Sequence, residues 1–208
     1  MANATNRIAI LSGGIGASET FRRSGLVPVA WLRLAAPPAL IGAVFGTGAV
    51  LMVGDLAFQR ILSVVLVLAA GWVFWNPIRP PDEGGHFPPT GAASWTSRAG
   101  FFFVGVYGGF IQAGVGFIVL TITSANGLDL IRGNAIKAPL VFLFTLVTVV
   151  LFTYSGMINW GMGLVLAAGQ VLGATLGVRL QVLKGQEWVR HVLTLIILAC
   201  AVRLMVMG

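Results

Sequence analysis

Few side chains in this sequence could do chemistry, and the densest group lies in an unexpected place. GVYGGFIQAGVG, residues 105 to 116, sets Gly105, Gly108, Gly109, Gly114 and Gly116 around one amide, Gln112, inside one of the most apolar regions of the chain. Each glycine weakens a helix by about 1 kcal/mol relative to alanine, so the spacing predicts a helix that breaks or unwinds near Gln112. Unwound backbone at membrane depth is tolerated only where it is buried in protein or lines a cavity. Such a break offers N–H groups and the positive end of a helix, a setting that can hold an anion, and Gln112 would add a neutral donor. The same glycines would also serve close helix contact, with Gln112 hydrogen-bonding across an interface. The sequence supports both uses equally. A nucleotide site does not fit, because the dinucleotide spacing, a preceding strand and a Walker lysine are all missing.

Two cations come next. Arg7 and Lys137 lie near the starts of two helices that match in an internal repeat described below. A cation supplies long-range attraction for a small anion, and glycine amides supply geometry. Either could instead extend its charge to the headgroups, and Lys137 has the stronger functional case because Asp129 and Arg132 already mark the membrane boundary before it. Asn6 and Asn134, just upstream, could donate to the same ligand or cap their helices. Gln170, in an otherwise apolar helix, could bind substrate or bridge two helices. Coupling has no obvious residue: Glu19, Asp55, Asp82, Glu83, Asp129, Glu187, His86 and His191 all fall near predicted helix ends or in a linker. A weak-acid substrate could carry the proton itself.

The elements that must hold these residues follow from composition. Of 208 residues 57% are hydrophobic and only 9% charged, with a mean hydropathy of +0.93, which is a membrane protein's composition. Apolar runs of about 20 residues recur without period-two alternation, so the expectation is an all-α integral membrane protein rather than a β-barrel. Seven helices are predicted, near 4–22, 29–53, 56–75, 97–125, 130–154, 158–183 and 187–207. Pro37 and Pro38 should kink the second, and Trp72 and Trp75 end the third at the interface. The polar, turn-rich stretch 79–96 reads as a linker between a first half, 1–78, and a second, 97–208. Short connections predict that consecutive helices pack as antiparallel neighbours. No signal peptide is evident at the start.

Thirteen Lys and Arg against six acids give a net charge of +7, but the basic residues flank apolar runs singly or as the pair Arg22 and Arg23. That is the pattern of membrane anchors, and nucleic acid is excluded as a partner. The lone Cys200 reads as a small buried hydrophobe. No metal-ligand cluster and no paired catalytic groups appear, so neither an enzyme nor a cofactor is expected.

The chain also repeats itself. SGLVPVAWL at 24–32 matches SGMINWGMGL at 155–164, IGAVFG at 41–46 matches LGATLG at 172–177 at the same offset, and Arg7 falls within one residue of that offset from Lys137. The small residues of these motifs read as helix-contact positions. The copies are unequal, because the first has no counterpart to the glycine-rich segment: either the chain begins one helix late or that helix has been lost. The charged turn at Arg22 and Arg23 is placed in the cytoplasm by the positive-inside rule, whereas its match, TYSGMINW, carries no charge. The second copy instead gathers Arg179, Lys184 and Arg190 further along. The two halves are therefore expected to run in opposite directions, which requires the glycine-rich segment to re-enter the membrane or the linker to cross it.

GVYGGFIQAGVGF, RGNAIKAPLVF, the GMINW turn and LGATLG together resemble the second half of the sulfite exporter TauE/SafE family. ATNRIAI, FRRSGLV and IGAVFG resemble the later part of its first half. The resemblance implies a multi-pass carrier of the cell membrane, built of two related halves. It would move small anions such as sulfite, sulfonates or other organosulfur compounds and organic acids, driven by an ion gradient. Partners are then the lipid bilayer, the anion and, as an option, a second copy of the chain. The residues implied at its site are Gly108, Gly109, Gln112, Gly114, Gly116, Asn134, Lys137, Asn6, Arg7 and Gln170. Family members open each half with a glycine-rich segment, and this chain carries one. A truncated subunit or scaffold needing a partner chain is the alternative.

Overall fold

In a computed structural model, the described residues are 1–54, 56–62, 64, 88 and 90–173. Among them every regular element is a helix: α1 (Ala2–Arg23), α2 (Val29–Met52), α3 (56–62), α4 (Gly91–Phe110), α5 (Val115–Ala125), α6 (Leu130–Tyr154) and α7 (Trp160–Gly173). Most of the predicted span 56–75, the second part of 158–183 and all of 187–207 lie outside the described residues. So do Trp72, Trp75, Cys200, all of LGATLG but its first two residues, and the acids and histidines at 55, 82, 83, 86, 187 and 191.

α2 and α6 are long and apolar enough to cross a membrane, with mean hydropathies of 1.7 and 2.3. α2 continues unbroken through Pro37 and Pro38, although a proline inside a helix removes one backbone bond. α6 starts at an Asp129 cap whose Oδ1 accepts from the Arg132 amide at 2.8 Å, satisfying one of the orphan donors of a first turn.

The expected packing of α1 on α2 does not occur; α2 packs on α4 and α6 instead. Glycine explains the choice. A Cβ on Gly42 or Gly46 would overlap the carbonyl oxygens of Phe102 and Val106, and one on Gly105 or Gly109 would overlap those of Ala39 and Ala43. Two backbones approach this closely only where neither helix carries side chains at the crossing. The contacts ascend together along both chains, so α2 and α4 run parallel. Around them Trp31, Ala35, Ala39, Phe101, Val104, Ile136, Leu140 and Phe144 form the main apolar core.

The glycine-rich segment is not one continuous helix. Ser97 on α4 donates to the Asn126 side chain at the end of α5, and Gly100 faces Ile122, so α4 and α5 fold back as a hairpin with Ile111–Gly114 at its tip. Measured along the helices, the tip lies roughly 20 Å from the level of Asn126 at 1.5 Å per residue, shorter than a 30 Å hydrocarbon layer. α4 also begins six residues earlier than the sequence pattern placed it, inside the stretch read as linker.

Direction separates the repeated pairs. Arg7 of α1 lies by Phe152 and Gly14 by Phe142, so α1 and α6 run antiparallel. Ile8 meets Gly163, Gly13 meets Gln170, and Thr5 accepts from the Asn159 amide, so α7 follows α1. α2, α4 and α6 point one way; α1, α5 and α7 point the other. The two members of each matched pair, α1 with α6 and α2 with α7, are thus opposed.

Candidate functional site

The tip of the hairpin is where most of the candidate residues meet. After Phe110 the chain leaves the helix, Gln112 adopts φ 70° and Gly114 φ 72°, and α5 starts at Val115. Left-handed backbone suits glycine but is strained for glutamine by about 1–2 kcal/mol. The Gln112 side chain offsets this strain. It is only 5% exposed, and its Nε2 donates to Thr145 Oγ1 of α6 at 2.7 Å. Its Oε1 is buried without a partner among the described residues. Turning the amide over would let the Thr145 hydroxyl donate to Oε1 and present the NH2 group instead. One end of a buried amide stays open either way.

We expect Gln112→Gly to unfold at a higher temperature than Gln112→Ala. Alanine loses the Thr145 bond and keeps the strained φ, whereas glycine loses the bond and releases about 1 kcal/mol of strain. Thermal unfolding of the purified variants in detergent measures the difference, and equal midpoints would show that the backbone at 112 is unstrained.

The carbonyl end of the break is covered. Arg7 is fully buried, and its two terminal nitrogens donate to Gly108 O at 2.5 Å and Gly109 O at 2.8 Å. Asn3, one turn earlier on α1, donates to Phe110 O at 3.0 Å, and the Tyr107 hydroxyl donates to Ala113 O. The guanidinium also stacks over the Phe152 ring, 5.6 Å from its centroid. A cation at the negative end of α4 is the favourable arrangement. Among the described residues Arg7 Nε has no partner and no carboxylate pairs with Arg7.

The amide end is uncovered. No backbone hydrogen bond among the described residues uses the N–H of Ala113, Gly114 or Gly116, and Ala113 and Gly114 are exposed. Against this positive end of α5 lies Lys137, also a cation: a methyl placed on Gly116 would stand 2.9 Å from its Cδ and 3.8 Å from its Nζ. Lys137 is half-buried and makes no hydrogen bond or ion pair among the described residues. Unpaired amides and an unpaired ammonium share one polarity, and an anion between them would satisfy both.

The remaining candidates lie apart. Asn134 donates to Leu130 O within its own helix, at 2.8 Å. Asn6 is exposed and, with Asn3, Phe58, Ile111, Ala113 and Phe152, lines a hollow of about 650 Å³ that reaches the tip from the end where α2 and α6 finish. Gln170 is exposed and rests against Gly13, away from the tip. Asn3, Tyr107 and Thr145 were not singled out from the sequence, although all three contact the break or its backbone. The placement of Asn3 four residues before Arg7 is a signal that both face one way.

A glycine hairpin held at its tip by polar groups from other helices is a construction found in membrane transport proteins. The chain belongs to the sulfite exporter TauE/SafE family, whose profile matches residues 1–204. It is similar to a probable membrane transporter protein of Haemophilus influenzae, 27% identical across 91% of this chain and 74% of the relative. Similarity extends to the probable membrane transporter protein YfcA of Escherichia coli K12, 27% identical across 93% and 71%. The probable membrane transporter protein ORF9 of a Sinorhizobium species is likewise 27% identical, across 97% and 76%. No solved structure matches the chain. The protein is therefore a helical membrane transporter of this family.

Proposed function

We propose that the protein is a secondary carrier for small anions, sulfite and sulfonates or other organic acids among them, driven by an ion gradient. The observation that carries this reading is Lys137, a cation that has no partner among the described residues and is set against the amides of Gly114 and Gly116, likewise uncovered among them, at the positive end of α5. Two like-signed groups beside one another at membrane depth are unfavourable until an anion enters. The direct test is efflux of labelled sulfite from vesicles containing this chain alone. Lys137→Ala and Gln112→Ala should insert normally and slow that flux by about tenfold or more, the effect of losing a charge-assisted contact of about 1.5–3 kcal/mol in a desolvated site. Wild-type flux in both variants would refute the site.

A further inference from the structure

The common direction of α2, α4 and α6 gathers charges that lie far apart in the sequence. Arg22 and Arg23 end α1, Arg33 lies in the second turn of α2, Arg98 sits on α4 level with the end of α5, and Arg132 starts α6. All five belong to one end of the bundle. The acids described at that end are Glu19, bonded by Arg22 at 2.7 Å and Arg23 at 2.6 Å, and Asp129, 3.7 Å from Arg132. Arg22 and Arg23 nonetheless keep 74% and 78% of their side chains exposed, and Arg98 stacks over the exposed Trp95 ring at 5.5 Å, as interfacial aromatic and basic residues do. At the opposite end, where α1 begins and α2 and α6 finish, the described basic side chain is Arg60; Arg7 and Lys137 are interior.

We infer that the end bearing Arg22, Arg23, Arg33, Arg98 and Arg132 is the cytoplasmic one, seated on the anionic headgroups of the inner leaflet. Five arginines against two acids at this end are the bias that sets the cytoplasmic side, and basic residues there are attracted to an anionic leaflet. Three consequences follow from the helix directions. The α4–α5 hairpin enters the membrane from the cytoplasm. Lys137, two turns from the start of α6, lies on the cytoplasmic side of the tip. The hollow lined by Asn3, Asn6 and Phe58 opens to the outside. Under the proposed anion-carrier reading, an anion leaving the cell meets Lys137 before the tip.

Single cysteines in a Cys200→Ser background test the orientation without requiring transport, so the result stands whether or not sulfite moves. Ser155→Cys and Asn6→Cys should react with a membrane-impermeant maleimide in intact cells, and Ser24→Cys should react only after the membrane is permeabilised. A second pair, Tyr154→Cys and Leu26→Cys, both exposed, reports the same answer should a member of the first set fail to accumulate. Labelling of position 24 or 26 in intact cells, or protection of positions 154 and 155 until permeabilisation, overturns the inference.

Discussion

Gly46→Val should abolish the folded protein, while Gly48→Val, two residues further along the same helix, should leave it intact. A Cβ at Gly46 would overlap the carbonyl oxygen of Val106, whereas one at Gly48 would meet nothing within 4 Å among the described residues. Overfilling a packed site with side-chain atoms that can rotate away costs about 1–3 kcal/mol. At Gly46 the obstacle is backbone, so relief requires separating α2 from α4 and undoing the contacts of Gly42, Gly105 and Gly109 with it. The loss should exceed that range and approach the 5–15 kcal/mol that holds a typical protein together. Size-exclusion profiles and thermal midpoints in detergent provide the measure; a wild-type midpoint for Gly46→Val would mean that the crossing is not close-packed.

Arg7→Met should lower stability by about 2–4 kcal/mol, because it strips two buried carbonyls, Gly108 and Gly109, of their donors, and each unsatisfied buried group costs about 1–3 kcal/mol. Thr47 Oγ1, 3.5 Å from Gly109 O, is too distant to compensate fully. Arg7→Lys should recover a part, since an ammonium cannot reproduce the forked donation to two successive carbonyls. Hydrogen exchange at Ile111–Gly114 should accelerate in the methionine variant. An Arg7→Met protein as stable as wild type, with slower anion flux alone, would make Arg7 a substrate ligand instead of a tie holding the tip.

These two effects mark what the sequence could and could not disclose. The break at Gln112 was readable because glycine acts on local backbone, and Leu130–Tyr154 was placed to the residue because an aspartate cap and a glycine turn bound it. Small residues in IGAVFG were readable as contact positions for the same reason. Their partner was not: nothing in residues 41–46 specifies α4 over α1, a choice made by the facing glycines 105 and 109. The division of labour between Arg7 and Lys137 was equally hidden, since they occupy matched positions and differ only in which end of the break each meets. Asn6, Asn134 and Gln170 carry the right chemistry in the right repeat, yet helix rotation sends them to a hollow, to their own backbone and to Gly13. Rotation depends on packing, which periodicity does not report in helices apolar on every side.

The hairpin tip belongs by sequence to the second repeat, yet its outgoing arm is fastened to the first through α2, Arg7 and Asn3, while its returning arm rests on α6. A change in the angle between those arms would bend the four residues Ile111–Gly114, which act as the elbow between α4 and α5. An anion lodged at those residues would sit on the pivot itself, where a small change in load is felt by both arms at once.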